Sequence, residues 1–160
     1  MRVSLLGVHG IVIVTVLATL APSPALAMLQ EPPPAGMQQP AGDPHEADEL
    51  AAQRQALGFL GYLDQGHYAD SYAYTGMLIR TQVDRAKFAA QIEKSRAGTG
   101  AMQARELMDA NYSSTVAGAP EGQYVVLHYH TSFASRPDTV ETLTLAFAKG
   151  YWRVSGYYIK

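Results

Sequence analysis

Glu141, His128 and His130 are the side chains whose type and spacing could support chemistry in this chain. In the run Glu141-Thr142-Leu143-Thr144-Leu145-Ala146-Phe147, strand alternation puts the Glu141 carboxylate on the same face as Leu143, Leu145 and Phe147. An unpaired charge among such neighbours is costly, so Glu141 must have a partner, with Arg105 and the Tyr158 hydroxyl as candidates. Read as chemistry, it is a general base or a ligand-binding acid at the mouth of a pocket. Read as architecture, it is an ion pair or hydrogen bond that holds a sheet to the neighbouring segment, the commoner fate of a buried charge.

His128 and His130 stand two apart in an extended run and therefore share a face, a spacing that can begin a metal site. Two imidazoles are an incomplete set, because a protein zinc site needs at least a third ligand. The chain has no cysteine, so His45, His67 or a carboxylate would have to complete it. The same face carries Tyr124, Val126 and Ser132, opposite Leu127, Tyr129 and Phe133, which predicts solvent exposure for both histidines. No metal ligand is assigned. Serines abound, yet no Gly-x-Ser-x-Gly elbow, phosphate-cradling glycine loop or dinucleotide glycine pattern occurs, so no catalytic residue and no cofactor is expected. Asn111-Tyr112-Ser113 has the form of a glycosylation acceptor but falls inside a predicted strand.

The elements that must hold these residues follow from periodicity. Arg2, the apolar core Ile11 to Leu20 and Ala25-Leu26-Ala27 follow the order of a secretory signal, with cleavage after Ala27. Ten core residues are too few for a transmembrane helix. Removal of residues 1–27 leaves eleven basic side chains against fourteen acidic ones, a balance that argues against nucleic acid or anionic membrane as a partner. The expected location is periplasmic or extracellular, with no stable membrane insertion after cleavage. Residues 28–43 hold Pro32-Pro33-Pro34 and read as a flexible leader. Residues 44–160 are one domain's worth of chain.

Asp43-Pro44-His45-Glu46 is a helix start, and Ala52, Ala56, Phe59 and Leu63, with Leu57 and Leu60 beside them, give one broad apolar face up to Gly66. A second helix is expected over His67 to Met77, and a third from the cap signal Thr81-Gln82-Val83-Asp84 to about Arg96, with Phe88 and Ile92 inside. Beyond Gly98-Thr99-Gly100 the period becomes two. One strand places Met108, Ala110, Tyr112, Ser114 and Val116 on a single side, and Tyr124 to Phe133, Val140 to Ala148 and Tyr151 to Ile159 follow, separated by turns at 118–122, 135–138 and Lys149-Gly150. A two-residue Lys149-Gly150 turn pairs Phe147 with Trp152, Leu145 with Val154, Leu143 with Gly156 and Glu141 with Tyr158, on the face that meets the helices. The fold class is α+β: about three N-terminal helices on one face of a curved antiparallel sheet of about four strands.

Tyr68-Ala69-Asp70-Ser71-Tyr72, Arg105, Gly118-Ala119-Pro120-Glu121-Gly122-Gln123-Tyr124-Val125-Val126, Thr131-Ser132-Phe133, Glu141-Thr142-Leu143-Thr144-Leu145 and Trp152-Arg153-Val154-Ser155-Gly156-Tyr157-Tyr158 occur in that order. Together they resemble the bacterial domain-of-unknown-function family 4019, over about Ala47 to Ile159. The resemblance implies an exported protein of Gram-negative bacteria with a cystatin-like or nuclear-transport-factor-2-like cone, and supplies no activity. Tyr72 stands where relatives often carry tryptophan.

The function that these readings favour is a non-enzymatic exported domain that binds a small apolar or amphipathic molecule, or a protein surface, between helices and sheet. Its lining candidates are Tyr72, Arg105, Glu141 and Tyr158, with Arg105 and Glu141 as the polar pair. One rival is a pocket isomerase or hydrolase-like enzyme with Glu141 as base. The other is a structural or homodimeric module using an outer sheet face of Val126, His128, Tyr157 and Ile159.

Overall fold

A computed structural model describes residues 42–160. The signal-like segment 1–27 and nearly all of the leader 28–43 lie outside the described residues. Helix α1 (Glu46–Asp64) carries Glu46, Asp48 and Glu49 in its first turn, where negative charge suits the helix dipole. Asp43 stands two residues before the cap position at His45, its Oδ1 accepting from the His45 N–H at 2.8 Å. Ala52, Ala56, Phe59, Leu60 and Leu63 are buried along one stripe, and Gly66 in the left-handed region (φ 74°) turns the chain away.

The single helix expected over 67–77 is instead broken into α2 (Tyr68–Ser71), a 3₁₀ turn (Tyr72–Tyr74) and α3 (Met77–Arg80). The break has a tertiary cause. Thr75 bridges in parallel to Val154 in the last strand, and the Gly76 N–H donates to Val154 O at 2.8 Å, so the chain leaves the helix to join a sheet edge. Helix α4 (Arg85–Arg96) starts at Asp84, whose carboxylate accepts from the Lys87 N–H at 2.9 Å; Thr81 is not the cap.

Four strands, β1 (Met102–Ser113), β2 (Tyr124–Phe133), β3 (Arg136–Ala148) and β4 (Tyr151–Ile159), pair antiparallel in the order β1-β2-β3-β4 as a curved, open sheet. The fold is α+β, as expected. The turn expected over 135–138 is tighter, and β3 already begins at Arg136. Pro137 is tolerated there because it sits at a register shift, beyond the stretch where β3 pairs with β4. Lys149 (φ 54°) and Gly150 (φ 84°) both occupy the left-handed region, the geometry of a type I′ hairpin turn.

Two bulges reset the faces. In β1 the register shifts between Leu107 and Asp109, leaving Met108 exposed, so that Arg105 and Leu107 share the inner face with Ala110 and Tyr112. In β4 the shift falls between the Thr144 and Leu145 pairs, so Leu143 faces Tyr157 and Thr142 faces Tyr158. The uninterrupted hairpin register expected from the sequence therefore ends at Leu145 with Val154. Phe147 lies at the far end of the hairpin and is 39 % exposed, its ring on Trp152 at 5.3 Å.

The inner face packs Val125, Leu127, Tyr129, Leu143, Leu145, Trp152 and Val154 against the α1 stripe and against Phe88 and Ile92 of α4. Among the described residues no helix is long and apolar enough to cross a membrane. The 3₁₀ turn docks on α1 through a notch at Gly58, where an added Cβ would lie 2.5 Å from Tyr74 Cε1. Around Gly61, one turn on, there is open space.

This contrast fixes the sign of two substitutions. Gly61→Ala should stabilise the protein by about 0.5–1 kcal/mol through helix propensity. Gly58→Ala should destabilise it by about 1 kcal/mol, because overpacking of about 1–3 kcal/mol outweighs the same gain. Urea melts of the two variants decide the point, and equal shifts would contradict the notch.

Candidate functional site

The two long helices, α1 and α4, each carry a charge at the end of a buried stripe. Asp64 follows Ala56 and Leu60 at four-residue steps in α1, and Arg96 follows Phe88 and Ile92 in α4. Both charges therefore project toward the sheet, where Arg105 of β1 and Glu141 of β3 stand on the inner face. The four side chains are 14 %, 4 %, 8 % and 0 % exposed for Asp64, Arg96, Arg105 and Glu141.

Their bonding is nearly closed. Arg105 lays its fork on Asp64, Nη1 to Oδ2 at 2.7 Å and Nη2 to Oδ1 at 3.0 Å, while its Nε donates to Glu141 Oε2 at 2.8 Å. Arg96 Nη2 donates to Asp64 Oδ1 at 2.8 Å and lies 3.5 Å from Glu141 Oε1. Thr131 Oγ1 donates to Glu141 Oε2 and the Tyr157 hydroxyl to Oε1, both at 2.6 Å. Two acids and two bases cancel in formal charge, and bidentate Arg–carboxylate geometry is the strongest form of such a pair.

Burial works against the Asp64 carboxylate, but hydrogen bonds from Arg105 and Arg96 and their charges together outweigh it and hold its pKa below the ordinary 3.8. Burial likewise works against the Arg105 cation, and the two carboxylates overcome it, so Arg105 is held charged more firmly than a free arginine. The Tyr157 hydroxyl is pushed far up by burial and then by Glu141, which keeps it a neutral donor. Tyr129 is pushed up to about 12, chiefly by burial. Its hydroxyl and Arg96 Nε are the buried side-chain polar atoms without a hydrogen-bond partner among the described residues.

Arg105 and Glu141 are thus brought together as the sequence suggested. Tyr158 is not their partner. The β4 bulge turns it outward, 62 % exposed, and supplies Tyr157 in its place. The same inversion removes Tyr157 from the outer face to which a dimer surface assigned it. Tyr72 sits in the helical layer, its hydroxyl donating to Val83 O at 2.9 Å and its ring 5.4 Å from Phe88, where it borders a separate cleft with Tyr62, Asp70 and Arg85. His128 and His130 pair separately, His128 Nδ1 with Asp109 Oδ1 at 2.7 Å and His130 Nε2 with Asp138 Oδ1 at 3.5 Å. No group of three or more metal-ligating side chains is assembled among the described residues.

Two clefts flank the charge cluster. A polar one of about 340 Å³ opens where α1 and α4 end, bordered by Asp64, Gln65, Tyr68, Arg96 and Thr99. A greasier groove of about 320 Å³ runs between α3, α4 and β4, with Ile79, Val83, Phe88, Ile92 and Tyr157 as its apolar wall.

A family model described as "Protein of unknown function (DUF4019)" matches residues 55–157, most of the described chain. This chain belongs to the DUF4019 family. No match is found among curated proteins. The matched span of the DUF4019 domain takes in all four members of the charge cluster together with Thr131 and Tyr157.

Sequence reasoning singled out neither Asp64 nor Arg96. A signal for both was present: a charged residue that continues the four-residue step of a buried row, Ala56-Leu60-Asp64 in α1 and Phe88-Ile92-Arg96 in α4, of opposite sign on the two helices. Asp64 also breaks a local rule, since a carboxylate in the last turn opposes the helix dipole unless a cation answers it.

Loss of one member should leave its partners charged, buried and unanswered. Glu141→Gln is expected to cost about 3 kcal/mol in urea unfolding, and a loss under about 1 kcal/mol would contradict a cross-linking role. Acid supplies a second measure. Because the folded pKa of Asp64 lies below its unfolded value of about 3.9, its stabilisation is complete above that pH and is lost as pH falls through the folded value. Asp64→Asn should remove that part of the acid transition in pH-dependent melts.

Proposed function

We propose that this chain is an exported, non-enzymatic binding domain that takes a small amphipathic molecule with an uncharged head group in the groove between α4 and β4. The groove carries the reading. Its apolar wall of Ile79, Val83, Phe88, Ile92 and Tyr157 is rimmed by Gln82, Gln91, Ser95 and Ser155, which offer hydrogen bonds and no charge. An apolar concavity with a few neutral polar groups suits a ligand of that kind, and its volume falls at the lower end of about 300–1,000 Å³ for ligand pockets. The β4 bulge brings Gly156 into the lining beside Ser155, the charge cluster anchors Tyr157 from behind, and export rests on the signal-like order of residues 1–27.

A catalytic role for Glu141 has less support, because both its oxygens are already bonded and the side chain is fully buried. A base needs reach to a substrate proton. Pairing of two copies through a sheet edge is also disfavoured: Glu49 Oε1 accepts from the Tyr112 N–H of β1 at 2.9 Å, and Gly76 covers Val154 O of β4.

The test is thermal shift of the purified protein with 1-decanol and decanoate, beside a Ser95→Trp variant that blocks the groove from an exposed position. Saturating 1-decanol should raise Tm by about 4 °C or more, decanoate by less, and Ser95→Trp should abolish both shifts. Absence of any shift, or a shift that Ser95→Trp leaves intact, overturns the groove; a ligand-free dimer by sedimentation would point to an interaction module.

A further inference from the structure

The charge cluster has a donor left over. Arg96 is 96 % buried by side chain, its guanidinium carbon stacked 4.9 Å from the Phe133 ring centre, and its one side-chain hydrogen bond among the described residues runs from Nη2 to Asp64. Its Nε is buried and has no acceptor. A buried donor without an acceptor is costly, the more so on a charged group, which is a standing incentive for an acceptor to arrive. Arg96 borders the polar cleft at the ends of α1 and α4, and so does Asp64.

Asp64 accepts three hydrogen bonds, from Arg105 Nη1 and Nη2 and from Arg96 Nη2, out of about four lone-pair sites on a carboxylate. It remains 14 % exposed. The cleft is therefore bordered by one cationic side chain that keeps an unanswered donor and by one acidic acceptor with room for a further bond, within a cluster of zero formal charge. A simple anion would add uncompensated charge beside Asp64, and a simple cation would do so beside Arg96. A molecule bearing both signs adds none.

We infer that this cleft is a second binding site, for a small zwitterion of the amino-acid type, its carboxylate accepting from Arg96 and its ammonium donating to Asp64. The cleft's size admits a compact ligand only, and Gln65 and Tyr68 form its rim. The site is independent of the α4–β4 groove, so either can fail without the other.

Calorimetric titration of the purified protein with glycine tests it, against acetate, methylammonium and glycine betaine, whose quaternary nitrogen has no N–H to give Asp64. Glycine should bind at least about tenfold tighter than each of the three, the worth of one charged hydrogen bond. Arg96→Lys, which keeps the charge and loses the Nε edge, should weaken glycine by about tenfold or more. Gln65→Trp, at an exposed rim position that leaves the cluster untouched, should abolish binding with Tm unchanged, and holds the test open if Arg96→Lys does not fold. The inference is overturned if glycine gives no heat, if acetate or betaine binds as well as glycine, or if Gln65→Trp leaves binding intact.

Discussion

The structure depends on burying two carboxylates and two guanidinium groups in one place without leaving any of them alone. Moving a single ion of this kind out of water costs several kcal/mol even after relaxation, and only close pairing with further hydrogen bonds repays it. Asp64, Arg96, Arg105 and Glu141 meet that condition with the help of Thr131 and Tyr157. Because the six residues come from α1, α4 and all four strands, the polar cluster fixes how the helical layer sits on the sheet. An apolar contact tolerates sliding, whereas a bidentate pair does not.

That requirement explains irregularities elsewhere. The bulge at Met108 brings Arg105 onto the inner face without turning Ala110 and Tyr112 out of the core. The bulge in β4 does the same for Tyr157 relative to Val154 and Trp152, and it also brings Gly156 into the lining of the groove beside α4. The 75–76 segment then leaves its helix to cover the edge of β4 next to that bulge. Each of these three departures from regular geometry serves either the cluster or an edge that would otherwise invite another strand.

The two clefts inherit their characters from this arrangement. Tyr157, its hydroxyl held by Glu141, presents a ring to the groove, whose lining is apolar with a neutral rim. On the other side the ends of α1 and α4 bring Asp64 and Arg96 to the surface's edge, so the cleft there is polar and carries both signs. One cluster thus separates a greasy concavity from a charged one. Membership of the DUF4019 family adds the extent of the domain and leaves its chemistry to be read from such geometry.

The sequence by itself determined the class of the fold, the apolar stripes of α1 and α4, the span of β2, the type I′ turn position at Lys149-Gly150 and the need of Glu141 for a partner such as Arg105. These are local matters of period, capping and the cost of burying charge, and they survive whatever the rest of the chain does. Tertiary structure alone decided that Tyr157 and not Tyr158 completes the cluster, that residues 67–77 break into short helices, and that Asp64 and Arg96 meet the pair from the sheet. The physical reason is that an inserted residue in a ladder inverts every face beyond it, and its position is set by packing between layers distant in sequence, which alternation along one strand does not record.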